Sequence, residues 1–253
     1  MKIGNASVFI KSLDKSIKEH LENVSGGIEK YLDKNDSFTF SCSRQNICCI
    51  NRDDNPIILS PYDAYVIRKS LDISSDQFLS NHARLILGSK SKYPMLILNN
   101  KSVNNKFSKC EFLDIDGCSI YEIRPTVCRM FPIGRISDIK GTSYFFLVKS
   151  NGCCKTISGE KHNLEAWLKE SKIDEFIDWN DKFQGIIYEM DHKKYQNSHI
   201  NLKLFLGEIL YNYDNIKNIP HVIPLINNSN SNKEEIETIF QLAKNYTKLM
   251  FGK

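Results

Sequence analysis

A chain of 253 residues with 41% hydrophobic side chains has an ordinary globular composition and can bury a sizeable core, as one domain or as a domain with a substantial extension. Its 34 basic and 30 acidic residues are interspersed, so the net charge of +4 builds no large single-sign field of the kind that drives nucleic-acid or membrane association. The opening MKIGNASVFIKSLDKS is interrupted by polar residues, and no stretch approaches the roughly 18 apolar residues of a membrane span, which predicts a soluble, cytoplasmic protein.

Taken in chain order, Ile10, Leu13, Ile17, Leu21 and Val24 fall at helical spacing before Gly26-Gly27 and predict a packing helix within an N-terminal helical segment, residues 1–37. Phe38-Thr39-Phe40 is a short β-prone lead into a loop bearing Cys42, Cys48 and Cys49. Ile57-Ile58-Leu59 reads as a strand feeding a helix with Ser60 at the N-cap, Pro61 in the first position and Asp63 in the third. Ser74 with Gln77 forms a second capping box, opening a helix whose apolar side is Phe78, Leu79, Leu85, Ile86 and Leu87 and which ends at Gly88. Pro94–Leu98 reads as a buried strand, and Phe112-Leu113 and Ser119-Ile120-Tyr121 as hairpin arms turning near Asp116-Gly117. Tyr144–Val148 is the strongest strand signal. From Asn163 onward the apolar spacing turns helical, with helices expected from Leu164, over Ile173–Met190, Ile200–Tyr213 and Ile236–Met250. Aromatic residues on these helices read as core, not as groups that stack on a cofactor.

All eight cysteines lie between residues 42 and 154, and the last 99 residues carry none. Clustered thiols form disulfides or bind a soft metal or an iron–sulfur centre, and inside the cell, where disulfides rarely persist, the weight falls on ligation. Five residues separate Cys42 from Cys48, seven separate Cys110 from Cys118, and nine separate Cys118 from Cys128. These spacings are not those of a zinc finger, a ferredoxin run or a thioredoxin-type C-x-x-C. Adjacent pairs such as Cys48-Cys49 and Cys153-Cys154 project in different directions on extended chain, so one member is expected to bind while its neighbour packs or serves another site.

The order of a cysteine-rich loop ending in CC, a short strand, an L-S-P-Y-D helix, an S-S-D-Q-F-L helix and C-E-F-L…C-S-I-Y-E-I-R-P-T-V-C-R-M-F-P resembles the YkgJ-type cysteine-cluster family, a zinc- or iron-chelating CxxCxxCC domain, over about residues 38–155. The stretch Cys110–Pro132 is the most specific part; the first half departs from the pattern, with Gln45 where the second cysteine of CxxCxxCC falls. The resemblance implies Cys42, Cys48, Cys49, Cys110, Cys118, Cys128 and Cys153 as ligands of zinc or an iron–sulfur cluster, and gives Cys154 no clear counterpart. By motif the cluster is also similar to that of the flagellin lysine N-methylases, which implies as an alternative an S-adenosylmethionine-dependent protein lysine N-methyltransferase acting on a protein substrate. No glycine-rich strand-to-helix loop of the Rossmann kind accompanies it. An adenosylmethionine binding titration separates this enzyme reading from a non-catalytic metalloprotein.

Several thiolates around one centre accumulate negative charge, which Arg124 and Arg129, flanking Cys128, are placed to offset. Their bland alternative is a surface ion pair, for instance with Glu122. Pro125 and Pro132 bracket the turn carrying Cys128, and Tyr121 is a further hydrogen-bond donor beside the centre or a core tyrosine. None of the six histidines forms a metal motif; His162 is the one to watch, eight positions after Cys154. The reading is an α+β protein: a small cysteine-rich metal-binding core with short strands and helices over residues 38–158, followed by a C-terminal helical region, residues 159–253, expected to pack on it as a lid or partner surface. It further predicts that Cys42, Cys48 or Cys49 lies beside Cys110, Cys118 and Cys128, some sixty residues away, because sulfurs sharing one zinc each sit about 2.3 Å from it.

Overall fold

The structure, a computed structural model, describes residues 2–13, 15, 18, 27–41, 47–50, 56–88, 92–103, 107–138, 140–149, 159–198, 200–217 and 231–252. The fold mixes helices and short strands, as the α+β reading expects, and it forms two compact units. The first is Met1–Pro56 with Asn100–Asp178, and the second is Ile57–Asn99 with Trp179–Lys253. The five cysteines among the described residues, Cys48, Cys49, Cys110, Cys118 and Cys128, therefore belong to the first unit.

The first unit is built on Thr142–Val148, a run of β-branched and aromatic residues that fits a half-buried pleated surface. Ile133–Ser137 pairs antiparallel along it, with Gly134 opposite Phe146. A Cβ on Gly134 would stand 2.2 Å from the Phe146 ring, so glycine there lets the ring lie flat across its neighbour. Lys2–Ile3 runs parallel beside Thr142-Ser143, and Ile28–Leu32 runs antiparallel beside Phe145–Val148. The N-terminal segment, expected to be helical over residues 1–37, thus carries strand at Lys2–Ile3 and at Ile28–Leu32 as well. Helix covers Ala6–Ser12, capped by the Asn5 side chain, which accepts from Val8 N at 2.8 Å, and Lys15 and Lys18 beyond it are helical too. Ile28–Leu32 is strand because Gly27, at φ +100, turns the chain and its carbonyl accepts from Lys149 N at 3.0 Å, which feeds the next residues into the ladder. Residues 14, 16–17 and 19–26 of the packing helix expected from Ile10 to Val24 and its Gly26-Gly27 end lie outside the described residues. Ser37–Phe40, a strand as read, pairs with Glu160–Asn163. Phe38 and Phe40 both meet the Trp167 ring edge-on, at 5.7 and 5.6 Å.

In the second unit the two capping boxes form as read: Ser60 with Asp63 opens Pro61–Ser70, and Ser74 with Gln77 opens Ser75–Asn81. Ser60→Ala should cost about 1 kcal/mol in urea unfolding, because it strands the Asp63 amide that Ser60 Oγ now accepts from at 3.0 Å. The second helix stops at Asn81, and Ala83–Leu87, expected to continue it, is instead a strand paired along Pro94–Leu98, which in turn pairs with Ile58–Leu59. Three consecutive apolar residues, Leu85 to Leu87, satisfy a strand as well as a helix, and the apolar partner strand decides between them. Helix Ile200–Tyr211 packs on this sheet so closely at Gly207 that a Cβ would lie 2.5 Å from the Leu85 side chain. Helix Asn232–Phe251 follows the Ser231 cap, and Trp179 packs against Tyr62, Phe183 and Phe240 at 5.6 to 6.3 Å. Most aromatic side chains of these helices, among them Trp179, Phe183, Tyr195, Tyr213 and Phe240, are core as read, whereas Phe205 is exposed. Among the described residues no helix is long and apolar enough to cross a membrane.

Candidate metal centre

Five cysteines fall among the described residues and reach one region from separate stretches. Cys48 and Cys49 sit on the single 3₁₀ turn Ile47–Cys49. An isolated antiparallel bridge between Ile50 and Lys109 ties the end of this turn to the strand Phe107–Cys110, whose last residue is the buried Cys110. That strand pairs with Asn100–Val103. Two residues beyond Cys110 the chain folds back in a tight hairpin, in which Leu113 stands opposite Cys118. Gly117, at φ +116, supplies the backbone freedom the turn needs, and the Ser119 amide closes it by donating to Phe112 O at 2.9 Å. Cys128 is the third residue of the short helix Thr126–Met130, bracketed by Pro125 at its N-cap and by Pro132.

The electrostatics report how these thiols meet. The Cys49 thiol is pushed well above its ordinary value, first by its hydrogen bond with Cys48, then by burial and by repulsion from Cys48, Cys110 and Cys128. Cys118 is raised by burial; the Ile120 amide and the Arg124 guanidinium pull it the other way, and Cys48 adds to the rise. Cys49 is therefore within electrostatic reach of Cys110 and Cys128, and Cys118 within reach of Cys48, despite their separation in sequence. No disulfide joins any of the five.

One expectation is corrected by the turn. Cys48 and Cys49 lie not on extended chain but in a 3₁₀ turn, where successive side chains are about 120° apart instead of opposed. Their sulfurs are 3.9 Å from each other. Two thiolates bound tetrahedrally to one zinc at about 2.3 Å stand about 3.8 Å apart, so the pair is already spaced to share an ion. The Cys48–Cys49 pair is thus soft and of suitable spacing. Among the described residues, however, no three cysteine, histidine or carboxylate side chains form a group set to hold an ion. Cys42, Cys153 and Cys154 lie outside the described residues.

Around the thiols, Arg124 and Arg129 do different things. Arg124 lies over the Tyr121 ring at 4.0 Å, donates to Tyr121 O at 2.6 Å, and is the cation that favours a charged Cys118. Tyr121 serves as the platform that holds it there. Arg129 is buried, donating to Glu122 O at 2.6 Å and to Ser171 O at 3.1 Å while its guanidinium covers the Phe176 ring at 4.6 Å. It fastens the helix bearing Cys128 to the turn Tyr121–Ile123 and to the end of helix Leu164–Glu170, a positional task. The contact with Glu122 is to its carbonyl, not the surface ion pair considered from sequence. His162 is committed elsewhere, with Nε2 2.9 Å from Phe40 O and its ring against Trp167 at 4.8 Å. The Ile50–Lys109 bridge was not legible in the sequence, because N-K-S-V over Asn100–Val103 and F-S-K-C over Phe107–Cys110 lack the apolar alternation that announces a strand.

No curated protein and no solved structure matches this chain. A family model does: CxxCxxCC, described as "Putative zinc- or iron-chelating domain", matches residues 41–155, the stretch of the sequence that carries all eight cysteines. The thiols and the family match agree on metal binding in general terms, and residues 41–155 are similar to the CxxCxxCC family.

Proposed function

We propose that residues 41–155 hold a zinc ion or an iron–sulfur cluster through thiolates drawn from Cys48, Cys49, Cys110, Cys118 and Cys128, joined by Cys42 and Cys153. The observation that carries the reading is the Cys48–Cys49 sulfur separation of 3.9 Å on a turn whose thiols also feel Cys110 and Cys128. This spacing favours a centre in which both sulfurs bind the same metal ion over one that places each on a different iron. Bound there, the metal supplies a cross-link between segments that lie far apart along the chain. Arg124, held on Tyr121, offsets the charge that thiolate ligands bring.

Anaerobic purification followed by metal analysis and an absorption spectrum tests the proposal. At least one metal per chain is expected, colourless for zinc and with visible sulfur-to-iron absorption for a cluster. A reduced, folded protein that retains neither metal after reconstitution with each would overturn it. A second measurement follows from the thiols. Cys49 and Cys118 sit above the ordinary thiol value of 9.0, so at neutral pH they carry protons that ligation must displace. Zinc uptake should release about one proton per thiolate ligand, about four for a four-thiolate site, and affinity should fall as pH falls. Calorimetry in buffers of different ionisation enthalpy reads that number; release of fewer than about two would exclude a mainly thiolate site.

A further inference from the structure

Neighbouring cysteines seldom bring their sulfurs together, and the 3₁₀ turn Ile47–Cys49 does so, with Cys48 Sγ and Cys49 Sγ 3.9 Å apart and both residues part-exposed. The turn is anchored on its C-terminal side, where Ile50 bridges to Lys109, so the pair is presented next to a fixed point. We propose that this pair is a redox-sensitive modification site: in the metal-free protein a peroxide oxidises Cys48 and Cys49 to a vicinal disulfide, which removes both sulfurs from the ligand set.

The inference rests on the metal-binding reading for its consequence, though not for its chemistry. One thiol gives its proton to solvent and attacks the peroxide O–O bond, forming a sulfenic acid and releasing one water. The neighbouring thiol then attacks that sulfur, the S–O bond breaks, and a second water leaves as the S–S bond forms. Two thiols lose two electrons and two protons, and one hydrogen peroxide becomes two waters. Contact range between the sulfurs makes the second step intramolecular and favours it over capture by a distant thiol. The product is easily reversed. Adjacent α-carbons are only about 3.8 Å apart, below the usual disulfide range of about 4.4–6.8 Å, and a bond strained in that way is readily opened by a thiol reductant. A bound metal, by occupying the same sulfurs, excludes the reaction.

The sequence makes the test direct, because Arg44 and Arg52 leave Cys48 and Cys49 as the only cysteines of the tryptic peptide 45–52. The full-length reduced protein is treated with hydrogen peroxide, metal-free and zinc-loaded, then alkylated, digested without reductant and weighed. The expected result is an unalkylated 45–52 peptide lighter by about 2 Da in the metal-free sample, restored by dithiothreitol, and a fully alkylated peptide in the loaded one. Two intact thiols in the metal-free sample would overturn the inference, as would linkage of this peptide to one carrying Cys110, Cys118 or Cys128. Zinc titration of the reduced and the oxidised protein is run in parallel. No uptake by the reduced form, with the vicinal disulfide still forming, would fault the metal reading alone; uptake by the reduced form with no disulfide would fault this inference alone; equal uptake by both forms would overturn the claim that the disulfide blocks ligation.

Discussion

Cys118→Ser and Cys128→Ser should each lower the metal content and destabilise the cysteine-bearing unit by about 3 kcal/mol, with complete loss of the centre costing about 10 kcal/mol or more. The figure follows from sharing a structural metal's binding free energy, roughly 12 kcal/mol, over four ligands. Serine keeps the size of the side chain, so the backbone pairing of Cys118 with Leu113 and the helix around Cys128 have no steric reason to change. Denaturant unfolding with metal analysis at each step checks it. Trp167 lies in the first unit and Trp179 in the second, and these are the two tryptophans of the chain, so a Trp179→Phe background leaves fluorescence that reports the first unit alone. Unchanged stoichiometry and midpoint in both serine variants would show that neither thiol belongs to the centre.

The pH dependence separates the loaded from the metal-free protein by sign. In the metal-free fold Cys49 and Cys118 are raised above 9.0, so their contribution to stability is fully present below that value and is lost as pH rises through the folded values. In the loaded protein the thiolates must stay deprotonated, so stability is instead lost as pH falls. Alkaline weakening before loading and acid weakening after it are the joint expectation.

What could be read from sequence was whatever short-range chemistry decides. Ser60 and Ser74 announce their helices because the partners that satisfy them, Asp63 and Gln77, lie three residues on. Thr142–Val148 announces itself by β-branched and aromatic content. Ala83–Leu87 and Ile28–Leu32 did not, since each becomes strand only through a partner found elsewhere in the chain, Pro94–Leu98 and Phe145–Val148. The same holds at the thiols. That cysteines would converge followed from their chemistry, whereas the bridge from Ile50 to Lys109 and the carbonyl contacts of Arg129 are long-range facts without a local signature. The 3₁₀ turn reversed the expectation for Cys48-Cys49, because alternation of side chains holds only where the chain is extended.

Glu235→Ala should destabilise the second unit by about 3–5 kcal/mol, the cost of breaking a buried ion pair from one side. Arg68 is 5% exposed and Glu235 7%, and their charged atoms approach to 4.0 Å between helices Pro61–Ser70 and Asn232–Phe251. Glu235 Oε2 also lies 2.7 Å from Lys69 Nζ and 3.0 Å from the Tyr65 hydroxyl, so one carboxylate serves three partners. Without it Lys69, whose side chain is 35% exposed, turns to water, and Tyr65 keeps Asn232 O at 3.1 Å. Arg68 has neither recourse. Its guanidinium lies against the Tyr65 and Tyr213 rings, 5.4 and 5.5 Å from their centroids, and its Nε and Nη2 atoms are buried without a hydrogen-bond partner. The penalty of the single variant is therefore mostly that of an uncompensated cation, and removing the cation as well should recover most of it. Glu235→Leu combined with Arg68→Met is expected within about 1 kcal/mol of the parent, or above it, because apolar packing replaces a pair whose attraction barely offsets its desolvation. Urea unfolding in a Trp167→Phe background, where Trp179 reports this unit, measures both variants. A Glu235→Ala cost below about 1 kcal/mol would mean the pair behaves as a solvated one, and a double variant no better than the single would mean that Glu235 acts through Lys69 and Tyr65 instead of Arg68.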